Sequence, residues 1–151
     1  MKHVLTIMAL VIAGVAPLSY AADEAQKPKP APTAEYKYKT PKLNKAQLDD
    51  WFKKPEKVIF IDLRRPDELQ SIGGFPVYLS IQLADLEKNL AYIPKDRAII
   101  TVSNHAGRAG KAGDLLSAKG YKVVGAAGVQ NYEEEGGTLL KIAPPPPKPA
   151  A

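Results

Sequence analysis

The sequence predicts a single α/β domain built on a parallel sheet with helices on both faces. Short apolar runs rich in Val and Ile alternate with segments of helical pattern, and Gly and Pro punctuate the junctions. Between two compositionally biased ends, the chain is about long enough for one ordinary domain. In such sheets the functional cleft lies at the carboxyl ends of the strands, which here means Asp62, Arg64 and residues 103–108.

Taken in order, Asn44 is placed to cap a short helix running through Leu48 to Trp51 and Phe52, with Pro55 just beyond its end. Val58 to Leu63, bounded by charges and too short for a helix, reads as a buried strand. Pro66 opens a second helix, with Asp67 and Glu68 at the positive end of its dipole, and Gly73-Gly74 closes it. Pro76 to Ile81 resembles another short strand, and Ala84 to Leu90 one or two helical turns. Ala98 to Val102 is a buried strand that stops at Ser103. A small-residue segment then feeds a helix with Ala109, Ala112, Leu115 and Leu116 on one face, closed by Lys119-Gly120. Tyr121 to Val124 is the last strand, and Val129 to Glu135 a short helix ended by Gly136-Gly137.

The ends differ from this middle. Lys2, the uncharged run Val4 to Ala16, Pro17 and the small residues Ser19 and Ala21 form a signal-peptide pattern over residues 1–21. The run of about 13 residues is short of the roughly 20 that span a bilayer, so cleavage and release into the periplasm are expected rather than stable membrane insertion. Residues 22–42 are a Lys/Pro-rich flexible segment, 43–141 the domain and 142–151 a Pro-rich tail of polyproline character. Residues 22–45 carry a net charge of +3 and residues 46–138 one of −1, so the pI near 9.3 belongs to the ends. A domain without a basic face argues against nucleic-acid binding. The chain contains no cysteine, which excludes thiol catalysis, disulfides and thiolate metal ligands.

Residues 103–108 are the most informative stretch. A short Gly-containing loop between a buried strand and a helix start can curl so that backbone N–H groups converge, with the helix dipole behind them and Arg108 adding positive charge. Such a cradle suits an anion.

Together with Asp62-Leu63-Arg64 at a strand end, the helix opening Pro66 to Leu69, and the strand and turn Val123 to Gly128 before Tyr132, this loop resembles the rhodanese-like superfamily in its sulfurtransferase branch. The resemblance covers about residues 43–140. The family's loop holds a cysteine, two variable residues, a glycine, one variable residue and an arginine; the six positions here read Ser103, Asn104, His105, Ala106, Gly107 and Arg108. The related phosphatase branch has a loop one residue longer. Ser103 thus stands where the family's cysteine carries a persulfide, and a serine oxygen does not accept and pass on sulfane sulfur. Ala106 stands where the family has glycine, so a reshaped loop is expected, with Gly107 taking any positive φ and Ser103→Cys alone restoring little sulfur transfer.

The resemblance implies a ligand-binding set of Ser103 to Arg108 with Asp62 and Arg64, no cofactor, and Ser103 as a degenerate nucleophile position. Asp62 either pairs with Arg108 or caps a nearby turn, and one of Arg64 and Arg65 faces the cleft. His105 is the sole imidazole beyond the signal segment, too little for a metal site. Its spacing from Ser103 is poor for a Ser-His pair. Trp51, Phe52 and Tyr132 suit the core, or else an aromatic rim. The expected function is a non-catalytic module that binds a small oxyanion or an envelope protein. The alternatives are a hydrolase-like enzyme using Ser103 and a purely structural interaction domain.

Overall fold

Four parallel strands, β1 (Val58–Asp62), β2 (Leu79–Ser80), β3 (Ala98–Ser103) and β4 (Val123–Gly128), lie in the order β2-β1-β3-β4. This is a computed structural model, and it describes residues 35–141. The expected signal segment 1–21, the Lys/Pro-rich residues up to 34 and the tail 142–151 lie outside the described residues. Among the described residues no helix is long and apolar enough to cross a membrane.

The strand pattern puts alternate side chains on opposite faces, and both faces are covered, as expected of a parallel α/β sheet. Phe60, Ile100 and Val102 point to one side, where they meet α1 (Lys45–Phe52) and α4 (Val129–Glu134) through Leu48 and Tyr132. Ile61 and Ile99 point to the other, where they meet Ala109, Ala112 and Leu116 of α3 (Gly107–Ala118). Phe52 stacks on Phe60 with ring centroids 4.9 Å apart and meets Tyr132 edge-on at 5.9 Å, which places both in the core rather than on a rim. Trp51 is half-buried against the same cluster.

Local chemistry accounts for the helix starts. Asn44 Oδ1 accepts from the Gln47 N–H at 3.0 Å and Gln47 Oε1 from the Asn44 N–H at 3.0 Å, a reciprocal box that opens α1. Helix α2 (Pro66–Ile72) has Pro66 in its first turn and ends at Gly73, whose φ of 96° favours glycine.

Three expectations shift. Residues 79–80 alone of the expected strand 76–81 pair with β1, because Pro76 has no N–H to give and the segment is a sheet edge. The expected turns at 84–90 form as two 3-10 turns, Leu83–Asp85 and Glu87–Tyr92. The last strand begins at Val123 and runs on through Gly125, Ala126 and Ala127, residues of low strand propensity whose small size suits full burial.

Residues 35–42, read from composition as flexible, pack against α3 and β4. Gly107, Gly110 and Gly113 leave one face of α3 nearly bare: a Cβ on Gly110 would fall 2.5 Å from the Tyr38 ring, and one on Gly113 2.5 Å from Thr40 Oγ1. Asp114 holds this strap, accepting from the Thr40 N–H at 2.7 Å, the Thr40 hydroxyl at 2.8 Å and the Lys39 N–H at 3.1 Å. The Tyr36 hydroxyl donates to the Thr40 carbonyl, and burial together with the Asp114 charge pushes that phenol up to about 12. Lys42 then bridges to Ala126 beside β4. Two tyrosines on a glycine face outweigh the Lys/Pro bias of the segment.

Candidate functional site

The central strands β1 and β3 end side by side, with Asp62 paired to Val102, and this brings Asp62, Arg64 and the loop after Ser103 to one end of the sheet. Arg64 is fully buried and grips Asp62 through Nε at 2.9 Å and Nη2 at 2.8 Å, while its own N–H donates to Asp62 Oδ1 at 3.1 Å. Its Nη1 reaches Asn104 Oδ1 at 3.5 Å. Arg64 is therefore the inward member of the arginine pair. Arg65 stays exposed and pairs with Asp67 at 2.9 Å.

The possible Asp62–Arg108 pair does not form. Arg64, two residues from Asp62 at the same strand end, takes the carboxylate first, and Arg108 turns to α2. There its fork grips Glu68, Nη1 to Oε2 at 2.9 Å and Nη2 to Oε1 at 2.5 Å. Asn104 Nδ2 adds a bond to Glu68 Oε1 at 2.8 Å, and the Arg65 N–H one to Oε2 at 3.1 Å. The Arg108 hydrogen bonds hold the Glu68 carboxyl down at about 2, and Glu68 in turn raises Arg108. Glu68 was legible only as a first-turn acid at the positive end of the helix dipole. Its partners 36 and 40 residues away leave no local signal.

Within the loop, Ser103 Oγ is buried and accepts from the Ala109 N–H at 3.1 Å, so the serine ties the loop to the first turn of α3. His105 is exposed, and among the described residues its ring makes no bond to Ser103, so no nucleophile–base pair is assembled. The Gln130 N–H fixes the Asn104 carbonyl at 3.0 Å, the Gly110 N–H reaches the Ala106 carbonyl at 2.7 Å, and the Gly107 N–H folds back onto the His105 carbonyl. The amides of Asn104, His105 and Ala106 meet no acceptor among the described residues.

Ala106 itself adopts the left-handed conformation, φ 51° and ψ −15°, and Gly107 enters the helix as its first residue. The expectation that Gly107 would take the positive φ is corrected. With Asn104 held by Gln130 and α3 starting at Gly107, the chain reversal falls on Ala106, whose methyl is fully buried. The cost is about 1–2 kcal/mol, carried by the packing around it. The end of β4 lies against the loop: a Cβ on Gly128 would fall 2.8 Å from the Ala106 nitrogen and closer still to Asn131 Oδ1 of α4. That oxygen is buried without a hydrogen-bond partner among the described residues. A surface hollow of about 440 Å³ lies beside the strap, lined by Thr40, Asp114 and Ser117, and contains none of the loop residues.

No protein-family model matches the sequence, and no curated protein matches it. Solved structures do match the fold. A rhodanese-related protein from Thermoplasma volcanium is 23% identical over 68% of this chain and 99% of its own, with a TM-score of 0.59. A rhodanese-like domain protein from Staphylococcus aureus is 21% identical over 66% and 98%, with a TM-score of 0.56. The polysulfide-sulfur transferase homodimer from Wolinella succinogenes is 26% identical over 67% and 78%, with a TM-score of 0.57. The chain is thus rhodanese-like in fold, and its strand-end loop opens on a serine in a molecule that has no cysteine at all.

Proposed function

We propose that this chain is an exported, non-catalytic rhodanese-fold module whose loop 103–108 holds a small oxyanion, free or as an acidic group presented by an envelope protein. The observation that carries this is the row of amides at Asn104, His105 and Ala106 in front of the α3 helix, left without acceptors among the described residues. Export rests on the pattern of residues 1–21 and release into the periplasm on the short apolar run. A relative such as the Wolinella protein is a sulfur transferase by name. Here the first loop residue has no thiol to carry sulfur, and its oxygen is already bonded to Ala109. The hydrolase reading lacks a base beside Ser103.

The test is to place a thiol in the cradle. Because Ala106 keeps the left-handed turn, the thiol of Ser103→Cys should titrate below the approximately 8.5 of a free thiol, as thiols do at amide-rich helix starts, and should react readily with an alkylating agent even though this change alone restores little sulfur transfer. Burial alone pushes a thiol the other way, so an introduced thiol that titrates at or above about 8.5 would show that the amides do not converge on that position.

A further inference from the structure

The loop's positive side chain is not free. Arg108 and Asn104, at either end of the cradle, both bind the Glu68 carboxylate, whose side chain is 13% exposed. Arg64 is likewise neutralised by Asp62 beneath the loop. The two arginines that contact the loop, Arg64 through Asn104 and Arg108 within it, are therefore each paired with a carboxylate of the chain itself. Attraction for an incoming anion is left to the backbone amides and the helix start, and the carboxylate at the rim opposes it.

We infer that Glu68 is the resident counter-anion of the loop and the residue that sets which anions it takes: an external oxyanion competes with its carboxylate, and dianions are disfavoured more than monoanions. This rests on the reading of loop 103–108 as an anion site. The electrostatic reason is simple, since the repulsion from one fixed negative charge grows in proportion to the charge of the ligand. Releasing Glu68 also frees the Arg108 fork, whose paired donors match the edge of a planar or tetrahedral oxyanion.

The experiment titrates the full chain with nitrate and with sulfate at low ionic strength, following the amides of residues 104–108 by NMR. Wild type, Glu68→Gln and Glu68→Asp are compared. Glu68→Gln should tighten nitrate on the order of fivefold and sulfate on the order of twentyfold, because the factor is roughly squared for a doubled charge. Glu68→Asp keeps the charge but is too short to span both partners, so it should show a smaller gain for both ions. It decides the matter if the Gln variant does not fold. If wild type binds and neither variant binds more tightly, or if the two ions gain equally, Glu68 merely positions Arg108 and Asn104 and the inference is overturned. If neither wild type nor variants move these amides, the anion reading of the loop fails first, and the inference with it.

Discussion

Truncation of Arg64 to alanine is expected to cost about 3–5 kcal/mol, a large share of the roughly 5–15 kcal/mol that holds a domain together. The side chains of Arg64 and Asp62 are 0% and 1% exposed, so removing the guanidinium leaves a carboxylate in the interior with little beyond the residue-64 N–H to hold it. It also opens a void beside Gly74, where a Cβ would sit 3.4 Å from Arg64 Nη2. At about 4–8 °C per kcal/mol for a domain of this size, thermal unfolding should move down on the order of 15 °C. The double variant Asp62→Asn with Arg64→Met should be less affected than Arg64→Met alone, because the orphaned charge is gone. Arg65→Ala serves as the exposed control, with a loss within about 1 kcal/mol. Equal small losses at Arg64 and Arg65 would show that the buried pair contributes no more than a surface one.

The second large effect comes from a single methyl group. In most exposed helices Gly→Ala gains about 1 kcal/mol, yet Gly113→Ala is expected to lose about 1–3 kcal/mol. The added Cβ would meet Thr40 Oγ1 at 2.5 Å and Thr40 Cγ2 at 2.6 Å. Thr40 has no easy retreat, because its hydroxyl and N–H are both bonded to Asp114. The strap must lift, and hydrogen exchange at the Lys39 and Thr40 amides should rise with the loss of stability. A stabilised Gly113→Ala with unchanged exchange would mean that the strap lies on α3 without being held there.

These two sites mark what spacing can and cannot tell. Continuous apolar runs rich in Val and Ile, the Asn44 cap, and Pro66 at a helix start each express a local preference that tertiary packing reinforces, so they were legible residue by residue. Strand β4 was displaced because Gly125, Ala126 and Ala127 are chosen for lack of bulk on a doubly covered sheet, and small residues carry no strand signature. The strap was hidden for a related reason. Gly110 and Gly113 carry no signal of their own, and only Tyr36, Tyr38 and Thr40, packed where their Cβ atoms would stand, explain them. Order and position were enough to bring Asp62, Arg64 and the loop to one end of the sheet, whereas the pairing among charges was not legible. Which carboxylate meets which arginine depends on reach across elements, and Glu68 lies on a helix that composition alone gave no reason to aim at the loop.

The most direct measurement adds thiosulfate to the wild-type chain in the presence of cyanide, following the amides of residues 104–108 by NMR while assaying thiocyanate. The expected result is a saturable, weak shift that appears first at Asn104, His105 and Ala106, with no thiocyanate formed above the uncatalysed background. Shifts confined to lysines outside the loop, or thiocyanate production lost on Ser103→Ala, would contradict the proposal of an anion-binding loop without sulfur-transfer chemistry.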